Sequence, residues 1–254
     1  MNVLVIGAGT IGTTVVKECQ KLERVETCFV LDHHASKTDS LEKTFDKVQV
    51  INDMDTVLGH VDLVVEAASQ DAVREYGIQA LEAGADLLIM SVGALADDEL
   101  QEDLKGAAKS SRIYLPSGAI VGLDGVFSAS MAGIEEVTLI TRKSPQALNM
   151  DVDNETVVFQ GPAEEAVKKF PKNINVAAAL SLASAGFKNT EVCIICDPGV
   201  DRNIHEVHFK GPAGELVCVS KNLPSPDNPG TSYLACLSAA SAVRKICSNL
   251  WVGL

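Results

Sequence analysis

Chemistry is written first into the N-terminal residues, where Gly7-Ala8-Gly9-Thr10-Ile11-Gly12 forms a GxGxxG between two patterned segments. An apolar run, residues 2–6, precedes it, and Ile11, Val15, Cys19 and Leu22 follow at helical spacing. In a strand-turn-helix the first glycine permits the tight turn, the second lets backbone approach a pyrophosphate, and the third lets helix and strand pack closely. The helix start, with Thr10 and Ile11 in its first turn, offers N–H groups and partial positive charge to phosphates. Asp32 closes the next apolar run about 20 residues beyond Gly12, where an acid accepts hydrogen bonds from a ribose 2′-OH and repels a 2′-phosphate. The pattern expects a dinucleotide, NAD in preference to NADP, while His33 and His34 beside Asp32 keep NADP open.

The richest polar segment of the second half is Asp197-Pro198-Gly199-Val200-Asp201-Arg202-Asn203-Ile204-His205-Glu206-Val207-His208. If 203–209 is a strand, Asn203, His205 and Val207 share one face, and Arg202, Ile204, Glu206 and His208 share the other. His205 is then the candidate proton carrier, since imidazole suits proton transfer near neutral pH, with Asn203 as an orienting or substrate-binding neighbour. A structural histidine is the competing reading. A zinc-binding HExxH would need His at position 209, where Phe209 stands, so no metal site is expected. Cys193 and Cys196 form a CxxC inside a β-branched run, and a spacing of three on a strand sends the thiols to opposite faces. The seven cysteines are expected as reduced, mostly buried thiols. Neither GxSxG nor GxxxxGK[ST] occurs, which removes the elbow-type serine hydrolases and P-loop triphosphatases. The acid pairs Asp97-Asp98 and Glu135-Glu136 sit at element starts, where capping or solvation explains them.

These residues need a scaffold, and the hydrophobic pattern supplies one. Apolar runs at 25–31, 48–51, 61–67, 86–92 and 112–115 alternate with helix-like segments at 70–83 and 97–110, which implies a parallel sheet covered on both faces. The loops Ala67-Ala68-Ser69-Gln70 and Ser91-Val92-Gly93-Ala94 follow strand ends, where ligands bind in open α/β sheets, although ordinary loop composition explains either one equally well. Beyond Pro116 the rhythm changes. A helix near 122–132, strands at 136–142 and 155–160, and helical stretches at 162–169 and 174–185 lead to strand runs at 190–196, 203–209 and 215–221. The last two join through KGPAG as a hairpin, so this half reads as α+β with an antiparallel or mixed sheet. PSPDNPG at 224–230 breaks the chain before a final helix at 231–248.

The 254 residues carry 46% hydrophobic and 22% charged side chains, enough for one large or two modest domains. A net charge of −13 repels phosphate backbones and anionic lipid, so neither nucleic acid nor membrane is an expected partner. No apolar stretch reaches the roughly 18 residues of a span, and the start lacks a basic signal region, so a cytoplasmic location is expected.

Several segments together resemble the L-aspartate dehydrogenase family: GAGTIG, EAASQDAV at 66–73, SVGAL at 91–95, PSGAIVGLDG at 116–125, FPKNINVAAALSLA at 170–183, DPGVDRNIHEV at 197–207 and NPGTSYLACLSA at 228–239. The last five are the specific ones. The resemblance implies an N-terminal Rossmann dinucleotide-binding domain over 1–117, joined by a C-terminal helix within 229–254 that packs back on it. An α+β catalytic and dimerisation domain would occupy 118–228. It further implies reversible NAD(P)-dependent oxidation of L-aspartate, a dicarboxylate, to iminoaspartate, which hydrolyses to oxaloacetate and ammonia or feeds pyridine nucleotide biosynthesis, in a homodimer. Motif by motif, the family's active-site histidine falls on His205, and its cofactor contacts fall on Ala119 and Asn175, with Asn173 a competitor for the neighbouring polar role. Gly7, Gly9, Thr10, Ile11, Gly12, Asp32, Ala68 and Ser69 complete the expected cofactor set. A homoserine dehydrogenase type of enzyme and a dinucleotide-sensing regulator without turnover are the alternatives; a proton carrier on the Asn-His face argues against the sensor.

Overall fold

Short runs rich in valine, leucine and isoleucine cannot leave either face in water, and the first half of the chain buries both in a parallel sheet. The structure, a computed structural model, describes residues 1–170 and 174–253. Asn173 therefore lies outside the described residues. Two units are present, one formed by Met1–Pro116 with Cys236–Val252 and the other by Ser117–Ala235 with the last residues of the chain.

The first unit runs β1 (Asn2–Ile6), α1 (Thr10–Lys21), β2 (Thr27–Leu31), α2 (Ala35–Thr44), β3 (Val48–Val50), β4 (Leu63–Glu66), α3 (Gln70–Glu82), β5 (Asp86–Ile89), α4 (Asp98–Ala107) and β6 (Ile113–Tyr114). Its strands are parallel in the order β3-β2-β1-β4-β5-β6, the Rossmann arrangement in which β1 and β4 carry the central carboxyl edge. Helix α2 was not expected. Its sequence ASKTDSLEKT is polar apart from Ala35 and Leu41, so the apolar period that reveals a helix is missing. Asp97 caps α4 by accepting from the Leu100 N–H, which accounts for the acid pair there.

The second unit contains α5 (Leu123–Ser130), β7 (Glu136–Lys143), the single turn α6 (Pro145–Leu148), β8 (Thr156–Pro162), α7 (Ala163–Lys169), α8 (Asn175–Leu182), β9 (Glu191–Cys196), β10 (Asn203–Gly211) and β11 (Gly214–Asn222). The sheet is mixed, in the order β11-β10-β7-β9-β8, with β7 and β9 parallel and the other pairs antiparallel. The expected hairpin is β10–β11. PSPDNPG does not simply break the chain: it turns within a small hairpin of β12 (Pro224–Ser225) and β13 (Asn228–Ser232), from which α9 (Tyr233–Ile246) starts.

From Cys236 onward α9 belongs to the first unit. Ala239 and Val243 enter the core formed by Val3, Val5, Val15, Val16 and Cys19. Glu18, buried in that region, accepts two 2.6 Å hydrogen bonds from Arg244, through Nε and Nη2. A buried carboxylate needs such a partner, and here it is supplied from more than two hundred residues away in sequence. Val243 is fully buried, so Val243→Ala should destabilise the first unit by about 1–3 kcal/mol, read as a lower urea midpoint with unchanged slope.

Candidate functional site

The glycine loop does its work by close approach. Gly7 has φ +98°, and a Cβ there would stand 2.7 Å from the Ala67 carbonyl oxygen, so only glycine fits both the conformation and the space. A Cβ on Gly12 would collide with the Gly7 carbonyl, which fixes α1 tightly against the turn. Gly9 is different: a Cβ there would meet nothing within 4 Å. It is the N-cap of α1 and provides no side-chain cap, so Thr10 and Ile11 begin a helix whose first N–H groups face an open approach. An uncapped helix start beside an open glycine is what a pyrophosphate requires, so the residues present fit a dinucleotide.

Two carboxylates hold the surrounding loops. Asp32 Oδ2 accepts from the Ala8 N–H at 2.6 Å, and Oδ1 accepts from the His34 N–H at 2.8 Å and lies 3.0 Å from His34 Nδ1. Partial burial works to raise its pKa, but the donors of Ala8 and His34 outweigh that and hold the carboxyl below its ordinary value. Glu66, the last residue of β4, was missed from sequence. Its Oε1 accepts from the N–H groups of Ala68 (2.8 Å) and Ser69 (2.9 Å) and the Ser91 hydroxyl (2.9 Å), and its Oε2 from the Ser91 N–H (2.9 Å). Burial pushes the Glu66 carboxyl up, against the pull of these donors. A clue was present: an acid at the end of the apolar run VVE has to be satisfied inside the fold.

An open cleft of about 370 Å³ lies along this edge, lined by Gly7, Gly9, Asp32, Ala68 and Ser69 among others. Lys37, His33 and His34 also line it. Five of the sequence-derived cofactor residues therefore share one cavity in the first unit, with Thr10, Ile11 and Gly12 on the helix that starts there.

The remaining candidates belong to the second unit. Ala119 is buried, and its carbonyl accepts from Ser220 Oγ and Asn222 Nδ2, both at 2.8 Å. Asn175 is the first residue of α8. His205 on β10 stands opposite Thr141 of β7 and Ser220 of β11, and Asn203 stands opposite Asn222. Strand alternation then puts Thr141, Lys143, Asn203, His205, Ser220 and Asn222 on one sheet face. Further along that face Val137, Leu139, Val207 and Phe209 are apolar and buried. The polar group is thus a patch at one end of a hydrophobic wall. Asn203 Nδ2 donates to Ser232 Oγ at 3.0 Å, so this amide is tied to the small hairpin. His208 lies on the opposite face, near Glu206. Cys193 and Cys196 also diverge, paired with Ile140 and Lys143 respectively.

His205 is 3% exposed, with Nδ1 3.0 Å from Thr141 Oγ1. Burial, reinforced by the charge of Lys143, pushes its pKa down to about 3, so the imidazole is neutral at physiological pH. With the proton on Nδ1 it donates to Thr141 and leaves Nε2 as an acceptor. Burial likewise pushes Lys143 down to about 8, which leaves it mainly charged near pH 7. Neither Thr141 nor Lys143 was singled out from sequence: Lys143 lay just beyond the expected strand at 136–142, and Thr141, inside it, has a side chain that any half-buried strand accommodates. The alternation Val137, Leu139, Thr141, Lys143 would have placed both on the buried face.

The comparisons with known proteins change family model near the boundary at residue 116, and the second model runs on into α9. Residues 7–116 match the family model described as homoserine dehydrogenase, NAD binding domain, and residues 124–246 match aspartate dehydrogenase, C-terminal. The L-aspartate dehydrogenase of Methanosarcina mazei is 44% identical over 100% of this chain and 99% of its own length. The chain belongs to the L-aspartate dehydrogenase family. A second L-aspartate dehydrogenase, from Methanothermobacter thermautotrophicus, is also 44% identical, covering 100% of this chain and 98% of the relative. The crystal structure of aspartate dehydrogenase from Thermotoga maritima superposes with a TM-score of 0.83 at 34% identity, covering 100% of this chain and 99% of that one. GenD2 from gentamicin A biosynthesis, solved with NAD, shares the fold at 14% identity and a TM-score of 0.56, covering 97% of this chain and 85% of that chain. Within the L-aspartate dehydrogenase family, then, the first unit of this chain is an NAD-binding domain. The homoserine dehydrogenase model stops at residue 116, before the half that holds His205.

The neutral imidazole has a consequence for stability. Between pH 6.5, its ordinary pKa, and about 3, the unfolded chain takes up a proton that the folded chain refuses, so stability falls as pH falls through this window. His205→Gln should flatten that part of the curve of melting temperature against pH; an equally steep acid loss in the variant would contradict the buried neutral state.

Proposed function

We propose that this chain is an NAD-dependent L-aspartate dehydrogenase, oxidising the CH–NH2 carbon to iminoaspartate, which releases oxaloacetate and ammonia or feeds pyridine nucleotide biosynthesis. The observation that carries the reading is the neutral, oriented His205, set in a polar patch within the half that matches the aspartate dehydrogenase C-terminal model. Gly7, Gly9, Thr10, Ile11 and Gly12 hold the pyrophosphate, and Ala68 and Ser69 floor the cleft. Asp32 takes the adenosine ribose: three of its roughly four acceptor positions are used by Ala8 and His34, which leaves one for a hydroxyl. Ala119 and Asn175 keep the cofactor-facing roles that the resemblance implies. Lys37 and the two histidines in the cleft support NADP as a second cofactor.

The bound nicotinamide supplies the acceptor for the hydride. A carbon bearing an ammonium group has no nitrogen lone pair to form the C=N bond, so a base must first take the proton. His205 Nε2 takes it, passes it on to solvent, and, neutral again, accepts a proton from the water that attacks the imine. Asn203, held by Ser232, positions the substrate. The exposed Val217 and Val219 on β11 and Val157 on β8 support a homodimer. Among the described residues no helix is long and apolar enough to cross a membrane, and a cytoplasmic location is part of the same proposal.

The test is NAD reduction with L-aspartate against a panel of other amino acids; no turnover with aspartate would overturn the reading. His205→Gln should lower turnover by about 10²–10⁴ while NAD affinity stays nearly intact. Full activity in the folded variant would return His205 to a structural role. Asp32→Ala should weaken NAD more than NADP, measured as the ratio of the two dissociation constants, because it removes a ribose acceptor and a charge that opposes the 2′-phosphate. Equal weakening would show that only its grip on Ala8 matters.

A further inference from the structure

We propose that Lys143 is the cation that binds a carboxylate of the substrate beside His205, an assignment that rests on the dicarboxylate reading above. A chain with a net charge of −13 must supply local positive charge to hold a dianion. Among the described residues Lys143 is the one Lys or Arg that is buried, at 6% exposure. Arg142, its neighbour, faces the other way and is paired with Glu155 at 2.7 Å and Asp197 at 3.2 Å. Arg202 is bidentate on Asp201, at 2.6 and 2.8 Å. Neither guanidinium shares the face of His205.

The placement of Lys143 follows from register. It lies two residues beyond Thr141, whose hydroxyl orients His205, so both project on one side of β7, and Cys196 of β9 stands opposite it. Inside a wall of Val137, Leu139, Val207 and Phe209, a methionine would fill this row without the desolvation that an ammonium suffers. The charge also acts on its neighbour, adding to burial in keeping His205 unprotonated. The two carboxylates of aspartate lie one and two bonds from the amino-bearing carbon. Gripping either at Lys143 would bring the nitrogen towards a base that this cation keeps neutral, and gripping the side-chain carboxylate would also select dicarboxylates over neutral amino acids.

The experiment compares wild type with Lys143→Met, Lys143→Gln and Lys143→Arg, using Lys221→Met as control because Lys221 is exposed on the other side of β11. KM for L-aspartate is measured beside the dissociation constant of succinate, a dicarboxylate that cannot react, the affinity for NADH and the melting temperature. Loss of a buried charge partner should raise the aspartate KM and the succinate constant by about 30-fold or more in the Met and Gln variants. Arg should recover part of the loss, with NADH affinity unchanged throughout, the Met variant melting no lower than wild type, and Lys221→Met silent. Wild-type succinate binding in a folded Met or Gln variant, or a fall in kcat alone, overturns the assignment. If wild type binds succinate but fails to oxidise aspartate, the dehydrogenase reading fails, and the succinate arm still decides the role of Lys143.

Discussion

The nucleotide cleft depends on carboxylates that accept backbone N–H groups at the carboxyl edge of the parallel sheet. A loop that follows a buried strand exposes unsatisfied donors, and it takes a definite shape only when something accepts from them. Asp32 accepts from the loop after β1, and Glu66 accepts from the loops after both β4 and β5. The carboxyl end of β2 is thereby tied to that of β1, and the end of β4 to that of β5. Charge-assisted hydrogen bonds of this kind are stronger than neutral ones, which suits loops that must hold their position without a hydrophobic core of their own. Asp32 thus holds the glycine loop whatever else it binds, and in the proposed site that loop is the one that approaches the phosphates.

In the second unit the governing constraint is strand alternation. One face of β7 and β10 is apolar over half of its length and becomes polar where Thr141, Lys143, Asn203 and His205 succeed the valines, leucine and phenylalanine. Burial makes charge expensive there, and the two basic groups respond unequally. Imidazole, with its lower ordinary pKa, becomes neutral, whereas the ammonium starts high enough to remain charged near pH 7. Two groups of the same nominal type are separated into an acceptor and a cation by one environment. On the proposed reading, that is the division of labour that deprotonation of an anionic amino acid would use.

Sequence reading worked where a local rule had one structural solution. The glycine loop reads from its spacing because Gly7 and Gly12 each meet backbone that tolerates no side chain, and His205 reads from alternation because 203–209 is strand throughout. Helix α2 was illegible because its solvated face dominates its sequence. Glu66 and Lys143 were passed over for a related reason: each is a charged residue at the end of an apolar run, where pattern alone cannot distinguish an exposed boundary from a buried polar group. Only the neighbouring strands decide that. The bond from Asn203 to Ser232 depends on a hairpin that forms from a segment rich in proline and glycine, where chain breaking was the simpler expectation.

The double duty of Asp32 also limits how cofactor preference could change. An acid that only faced the ribose could be exchanged for a neutral residue to admit a 2′-phosphate. Here the same carboxylate secures Ala8, the residue between the two glycines that shape the phosphate turn. Its removal would loosen the site for both nucleotides while easing repulsion for one. A shift towards NADP that preserved affinity would therefore have to retain an acceptor at position 32 and gain its attraction elsewhere along the cleft, where Lys37, His33 and His34 already stand. In the proposed site the electrostatics of discrimination and the mechanics of the loop fall on the same two oxygen atoms, so neither could be altered without disturbing the other.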